Sequence, residues 1–141
     1  RLIAGNGVTL TWAPAGPGWP HEGTDWFNAI FACQHLSADG LALSATRLDI
    51  WRLPSVDEAV KSMSRHGKNS GGIWNAGSNI ATYEIRPDKE PPLWDPHSEI
   101  VYWWTSTSID EEQALIIVYD GKVWPRSKNF SPAYLGFRCV K

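Results

Sequence analysis

The sequence predicts an α+β fold, because its helical and strand patterns are segregated along the chain. One strand pattern comes first, two helical patterns follow, and the last third of the 141 residues is rich in strand patterns. A long segment rich in glycine and proline separates the helices from these strands. We therefore expect one domain, residues 1–141, in which two helices pack on a small antiparallel sheet and long irregular loops connect the elements.

The N-terminal part is predicted to form a strand and a helix. Apolar and polar side chains alternate over residues 6–12, which is typical of a strand with one buried face. Thr24 or Asp25 is suited to cap the first helix, whose apolar residues recur at three- and four-residue spacing up to Leu36. This spacing places Cys33 on the inner face of the helix.

A second helix and a long loop region follow. This helix is expected to begin at Pro54, to carry a capping box of Ser55 and Glu58, and to end near residues 66–67. Residues 68–98 contain so many glycines and prolines that at most one short strand, residues 80–85, is expected in them. A loop region of this length inside a domain is usually functional.

The C-terminal part is predicted to form an antiparallel sheet. Branched and aromatic residues dominate four short segments, and Asp120-Gly121 between two of them is a hairpin signal. The expected strands are residues 100–105, 114–119, 122–126 and 136–140.

Composition and charge exclude several classes of protein. The chain is 43% hydrophobic and 20% charged, and no apolar run is long enough to span a membrane. Neither a disordered tail nor a membrane span is therefore expected. With a net charge of −2, the chain lacks the basic field of proteins whose main partner is a nucleic acid.

The nine tryptophans are the unusual feature of the composition. Five of them fall at inward periodic positions or in the motifs described below and are expected to be core: Trp12, Trp26, Trp51, Trp103 and Trp104. The other four fall in predicted loops or on the hairpin, where burial does not follow from the pattern: Trp19, Trp74, Trp94 and Trp124.

The two cysteines bear on the compartment of the protein. Cys33 and Cys139 lie far apart, and neither has a partner at the spacing of a metal site. Either they form a disulfide, which implies an oxidising compartment, or they are two buried free thiols. The chain opens at Arg1 without an initiator methionine, which predicts removal of an N-terminal targeting segment. We therefore expect an extracytoplasmic protein, in the periplasm or at the cell surface.

Four segments resemble motifs of the Lcl C-terminal domain family, a bacterial family of unknown general function. Residues 49–58, DIWRLPSVDE, resemble its D-x-W-R-L-P-T-x-x-E motif, and residues 26–36 resemble W-x-x-A-x-x-x-C-x-x-L. Residues 102–107, YWWTST, resemble Y-W-S-S-T, and the closing residues 136–141, GFRCVK, resemble R-C-V-R. The motifs occur in the family's order across nearly the whole chain.

The resemblance implies a C-type-lectin-like fold, related to that of formylglycine-generating enzymes and of the variable proteins of diversity-generating retroelements. It also implies a disulfide that joins Cys33 in the first helix to Cys139 in the final strand. In such folds Trp51 and residues 102–104 more often fill the core than contact a ligand, and Arg52 is expected to be structural.

No catalytic constellation is found in the sequence, so we expect a protein that is not an enzyme and has no cofactor. Formylglycine-generating chemistry depends on a reactive cysteine pair, and a bridge between Cys33 and Cys139 leaves no thiol for it. The four histidines lack metal-site spacing, and neither a G-x-S-x-G elbow nor a phosphate-loop ending is present. An oxidase of the formylglycine-generating type is the least favoured function.

An acidic segment, residues 88–99, is a candidate calcium site. Its carboxylates are the hard oxygen ligands that Ca²⁺ prefers, although a solvated acidic loop is the favoured interpretation; they belong to Asp88, Glu90, Asp95 and Glu99. Glu90-Pro91-Pro92 matches the sugar-binding tripeptide of C-type lectins only superficially, because no amide oxygen follows the proline.

Charge is uneven along the chain, which points to a binding surface near the C-terminus. Residues 88–112 hold seven acids and one lysine, whereas residues 121–141 hold five bases and no acid. Aromatic and arginine side chains dominate binding interfaces. The alternative is a mixed-charge sheet edge that Pro125 protects against pairing. The candidate binding surface consists of Trp74, Trp94, Trp124, Arg126, Lys128, Phe130 and Tyr134.

These observations predict a non-enzymatic binding or assembly module. We expect an accessory subunit or domain that contacts other proteins of a bacterial cell-envelope complex, because aromatic-rich loops occur without catalytic groups. The alternative is recognition of an acidic or sulfated glycan by the same surface.

Overall fold

The computed structural model describes residues 1–5, 7–91 and 93–141, and they form the predicted α+β fold. Asn6, at the start of the predicted first strand, and Pro92, in the lectin-like tripeptide, lie outside the described residues. The elements are β1 (Leu2–Gly5), β2 (Val8–Thr11), α1 (Trp26–His35), α2 (Val56–Ser62), β3 (Ser64–Arg65), β4 (Lys68–Asn69), β5 (Gly72–Asn75), β6 (Ile80–Tyr83), β7 (Tyr102–Ser108), β8 (Gln113–Val118), β9 (Val123–Ser127) and β10 (Leu135–Gly136).

The central sheet has the strand order β10-β7-β8-β9, in which β7, β8 and β9 are antiparallel as predicted. The prediction for the last strand was wrong, because β10 is only two residues long and runs parallel to β7. The residues after it pair elsewhere. Val140 exchanges backbone hydrogen bonds of 2.8 and 2.9 Å with Arg52 and also bridges Trp12. The C-terminal segment therefore ties the two halves of the chain together.

The two helices pack on opposite faces of the central sheet. Alternate residues of β8 show this division, since Ile116 belongs to the apolar cluster under α1, whereas Ile117 belongs to the cluster under α2. Cys33 lies in the first cluster and Val60 in the second, and neither side chain is accessible. The sheet is therefore covered on both faces, and both helices contribute to the core.

The predicted helix caps are confirmed. The Asp25 side chain accepts a 2.8 Å hydrogen bond from the backbone N–H of Asn28 and caps α1. Ser55 and Glu58 form the complete capping box of α2. This helix ends at Ser62 rather than near residues 66–67, because the chain turns there into the β3–β4 hairpin, whose turn residues 66–67 have φ of 52° and 72°.

The segment 68–98 contains more regular structure than predicted. The expected strand is present as β6, but it pairs with β5 in a hairpin that packs against α2. Gly72 makes this packing possible, because a Cβ there would lie 2.4 Å from a methyl carbon of Val60 and 2.5 Å from the Tyr83 ring. Glycine, which is rare inside strands, therefore marks a close approach here rather than a loop.

The predicted pairing of the two cysteines is confirmed. Cys33 in α1 and Cys139 near the C-terminus form a disulfide across a sequence separation of 106, with their Cα atoms 5.5 Å apart. Neither residue is accessible to solvent. The bond fixes α1 to the segment that also pairs with Arg52.

No helix among the residues described here has the length and apolar character needed to cross a membrane.

Candidate functional site

Trp124 is the exposed tryptophan of the candidate surface, with 44% of its area accessible. It is the second residue of β9, an edge strand of the central sheet, and lies directly opposite the buried Ile116 of β8. Residues opposite each other on neighbouring strands share a face. The Trp124 ring therefore extends an otherwise covered face of the sheet into solvent.

Two grooves flank this ring, and both are lined by Trp124 and Lys122. The larger groove, about 480 Å³, lies between β9 and β6, where Ile80 and Tyr83 contribute to its wall. The smaller groove, about 330 Å³, is lined on its other side by Tyr102 and Tyr119, among others. Such volumes fall in the range of small-molecule and side-chain pockets. We call the two grooves with their shared residues the Trp124 site.

The Trp124 site has a positive balance of charge. Among the described residues that line it, Arg86, Lys122 and Arg126 are basic and Asp120 is acidic. The Asp120 carboxylate lies 3.6 Å from Lys122 Nζ and 4.0 Å from a guanidinium nitrogen of Arg86. The site therefore holds three cations and one carboxylate, and it favours an anionic or electron-rich ligand.

Arg126 supports the exposed ring. Its guanidinium carbon lies 5.8 Å from the centroid of the Trp124 ring, and its Nη1 donates a 2.7 Å hydrogen bond to the Pro125 carbonyl. This cation–π arrangement of Trp124 and Arg126 combines the two side-chain types most often found at the energetic centre of protein interfaces.

Of the other predicted surface residues, Tyr134 lies beside the site and Phe130 lines neither groove. The Tyr134 ring packs edge-on against Tyr102, a lining residue of the smaller groove, with ring centroids 5.0 Å apart. Phe130 and Tyr134 are 40% and 41% exposed. The structure therefore brings Trp124, Arg126 and Tyr134 into one neighbourhood.

Three predicted surface residues are placed elsewhere. Trp94 is 4% exposed and packs edge-on against Trp103 in the core, with centroids 4.6 Å apart. Lys128 is also buried, because its ammonium lies 4.4 Å from the Trp26 ring centroid and donates to the Asp110 carbonyl. Trp74 is half-buried against the core cluster under α2. The prediction that Trp94 and Lys128 lie on an exposed surface was therefore wrong.

The free edge of β9 is poorly suited to pairing with another strand. Along the β8–β9 ladder, residue pairs that exchange backbone hydrogen bonds alternate with pairs that do not. The hydrogen bonds from Val118 N to Lys122 O and from Lys128 N to Glu112 O fix which pairs are hydrogen-bonded. In this alternation the backbone of Pro125 points away from β8. Since proline has no N–H, the outward edge lacks a donor at its centre. Contacts at the Trp124 site are therefore made by side chains.

A second group of aromatic residues surrounds the buried Arg138. Its guanidinium lies 3.7 Å from the Trp19 ring centroid and donates 2.9 Å hydrogen bonds to the carbonyls of Ala13 and Leu93. Burial lowers the pKa of Arg138 to about 10, so the group stays charged at neutral pH. This arrangement joins the N-terminal segment, the loop before β7 and the C-terminal segment, and it is structural.

The four acidic side chains proposed for a calcium site are not brought together in the described part of the chain. Asp88 and Asp95 accept hydrogen bonds from nearby backbone N–H groups, and a Glu90 oxygen lies 3.9 Å from the His66 ring, while Glu99 is exposed. Over residues 1–5, 7–91 and 93–141, no group of three or more His, Cys, Asp or Glu side chains is placed to hold a metal ion.

Several residues of the Trp124 site escaped the sequence-based prediction. Lys122 and Tyr119 flank the Asp120-Gly121 turn, which indicated a hairpin but not a lining role. Arg86 and Tyr83 come from the segment predicted to be mostly loop, and the groove that they line forms only when β6 approaches β9. The missing signal is the tertiary contact between two hairpins that are distant in sequence.

Comparison with protein-family models, with curated proteins and with solved structures found no match to this chain.

Proposed function

We propose that this protein is a non-enzymatic, extracytoplasmic binding module that contacts another protein through the Trp124 site. The observation that carries the proposal is the exposed Trp124 ring, held between two grooves and beside the Arg126 guanidinium. A large rigid aromatic ring with a basic rim is the arrangement that most often supplies binding energy at a protein interface.

The position of the site on the scaffold supports this proposal. Trp124 and Arg126 project from a strand whose partner β8 is buried, so their backbone is rigid. A contact surface on a rigid element loses little conformational entropy when it binds. The disulfide between Cys33 and Cys139 supports an oxidising compartment, and with it the extracytoplasmic location.

We also propose a family and a fold type for this chain. We assign the chain to the Lcl C-terminal domain family and to the C-type-lectin-like folds on the strength of its four sequence motifs. The resemblance implied a bond from the first helix to the final strand, and the Cys33–Cys139 bond joins α1 to the segment that follows the last strand, β10. As an accessory subunit or domain of a bacterial envelope complex, the protein would present the Trp124 site to a larger partner.

Site-directed photo-crosslinking tests the proposed function. A benzophenone amino acid in place of Tyr119, which lines the smaller groove, is expected to crosslink to a specific protein in an envelope extract of the source organism. The double variant Trp124→Ala with Tyr134→Ala should abolish that crosslink. The matched variant Ile73→Ala, 71% exposed on β5, should leave it intact. An unchanged crosslink in the Trp124 and Tyr134 variant would contradict the proposal.

An acidic or sulfated glycan is the second candidate ligand, and the excess of cations around Trp124 favours it. A sugar ring can stack on the indole while Arg86, Lys122 and Arg126 bind its anionic groups. Calorimetric titration with heparin should then show binding that weakens with salt, whereas neutral dextran should not bind. Absence of heparin binding at every salt concentration, with and without calcium, would remove this candidate.

A further inference from the structure

A cavity of about 30 Å³ lies between α2 and the central sheet. It is lined by Ala59 of α2, Trp103 of β7 and Ile117 of β8, and by Trp12 and Trp94 among others. All of these side chains are buried. Since one water molecule needs roughly 10–15 Å³ of such space, the cavity has room for a small ligand.

Three indole N–H groups at this cavity have no hydrogen-bond partner among the described residues. They belong to Trp12, Trp94 and Trp103, and each nitrogen is buried. The indole N–H of Trp104, which also lines the cavity, donates instead to the Thr24 carbonyl at 2.8 Å. Buried polar groups in proteins nearly always have a partner, so three such donors around one cavity indicate an acceptor inside it.

Contact between aromatic rings accounts for only part of these donors. The Trp94 and Trp103 rings meet edge-on, with an interplanar angle of 78° and centroids 4.6 Å apart. A contact of this kind can direct the N–H of one indole at the face of the other ring. It leaves Trp12 and one member of the pair without an acceptor.

The cavity is lined by a cation and by no carboxylate. The Arg138 guanidinium carbon lies 5.8 Å from the Trp12 ring centroid, and the group is charged at neutral pH although burial lowers its pKa to about 10. The described residues that line the cavity include no Asp or Glu. Guanidinium and indole groups donate hydrogen bonds and cannot accept them. The side chains around the cavity therefore present donors and positive charge.

We infer that this cavity binds one small anion of the halide type, such as chloride. An anion accepts hydrogen bonds from several donors at once and requires no acceptor from the protein. A water molecule would also need acceptors for its own two hydrogens, which the side chains of this cavity do not offer. The charge of Arg138 offsets the cost of taking the anion out of water.

The cavity joins three segments that are distant in sequence. Trp12 follows β2, Trp94 precedes β7, and Arg138 lies in the C-terminal segment. An anion held by these residues bridges the segments in the folded protein, and the site is absent from the unfolded chain. At constant ionic strength, chloride should therefore raise the midpoint of thermal unfolding more than the larger anion gluconate does.

Two measurements on the 141-residue chain test this inference. In solution, exchange of chloride with the cavity should broaden its NMR line, and bromide should reverse the broadening by competition. In crystals grown in sodium bromide, anomalous diffraction should locate bromide in the cavity beside Arg138 and Trp12. A water molecule or an empty cavity in these crystals would overturn the inference. A bromide peak that appears only at molar concentration would reveal an adventitious ion and would overturn it too.

Replacement of one indole N–H tests how the anion is held. Benzothienylalanine in place of Trp12 keeps a bicyclic ring of similar shape but carries sulfur where the indole has its N–H. Because a hydrogen bond to a charged group is lost, the dissociation constant for chloride should rise by about tenfold or more. Circular dichroism shows whether the variant is folded.

The matched control is the same replacement at Trp124, whose exposed ring lies in the basic Trp124 site. This variant should bind chloride as tightly as the wild type. An unchanged dissociation constant in the Trp12 variant, or a loss of binding confined to the Trp124 variant, would contradict an anion site in the cavity. If the Trp12 variant does not fold, the bromide crystals of the wild type decide the question. None of these outcomes depends on the function proposed for the Trp124 site.

Discussion

Arg52 and Glu58 form a bidentate ion pair that closes the start of α2, with nitrogen–oxygen distances of 2.6 and 2.8 Å. The hydrogen bond from Arg52 is the main cause that lowers the pKa of the Glu58 carboxyl. The same carboxylate also accepts the backbone N–H of Ser55 at 2.9 Å in the capping box. The Glu58 side chain thus links the start of α2 to Arg52, the residue whose backbone pairs with Val140.

Glu58→Gln should lower the free energy of unfolding at pH 7 by about 0.5–1 kcal/mol, since it keeps the capping oxygen but removes the charge. A folded pKa below the usual value of 4.5 means that the stabilisation is present above that value and is lost as the pH falls through the folded pKa. The difference between wild type and variant should therefore be smaller at low pH than at pH 7 in urea unfolding experiments. Glu111→Gln, at an exposed position, is the control and should show no difference at either pH. A constant difference across this range would rule out the charge as its cause.

Tyr83→Phe should be neutral or stabilising. The Tyr83 hydroxyl is buried and has no hydrogen-bond partner among the described residues, and burial is the main cause that raises its pKa. Removing a buried polar group that lacks a partner relieves its desolvation cost, which is typically about 1–3 kcal/mol. Urea unfolding measures the change, with Tyr119→Phe, at an exposed tyrosine, as the control. A large loss of stability in Tyr83→Phe would show that the hydroxyl has a partner in solution.

Gly23→Ala should destabilise the protein by at least about 1–3 kcal/mol. A Cβ at this position would lie 2.0 Å from the carbonyl oxygen of Pro132, so one of the two backbone segments must move. Gly77→Ala is the control, because its nearest neighbour, a side-chain oxygen of Asn75, would lie 3.5 Å away. The midpoints of thermal unfolding of the two variants are compared. Equal midpoints would contradict the close approach of Gly23 to the Pro132 backbone.

The disulfide should dominate the stability of the chain. Replacing both Cys33 and Cys139 with alanine is expected to lower the free energy of unfolding by roughly 2–5 kcal/mol, because the bond closes a loop of about a hundred residues. In the native protein a thiol reagent should find no reactive cysteine, and two should appear only after denaturation and reduction. If the wild type and the double alanine variant had the same midpoint of urea unfolding, this expectation would be contradicted.

Local patterns in the sequence predicted the parts of the fold that depend on local chemistry. Asp25, Ser55 and Glu58 marked both helix starts, because capping involves residues only three positions apart. The end of α2 was misplaced because residues 66–67, which were predicted to stop the helix, form the turn of the β3–β4 hairpin, and the helix ends before that hairpin at Ser62. The parallel strand β10 was missed for a related reason, since two residues carry no periodicity.

The candidate site was predicted only in part. Trp124 and Arg126 were found because the hairpin signal places them on an edge strand. Lys128 was misassigned because a lysine normally favours solvent, whereas here the Trp26 ring and the Asp110 carbonyl hold its ammonium inside. Arg86 joins the site through a contact between hairpins that no local pattern encodes.

The proline at the centre of β9 has a consequence for the behaviour of the protein at high concentration. An unpaired edge with a complete row of donors templates the growth of intermolecular cross-β aggregates. Pro125 interrupts that row directly between Trp124 and Arg126, two side chains of the proposed binding site. The edge of β9 can therefore carry a large exposed aromatic ring without offering a complete row of donors to another strand.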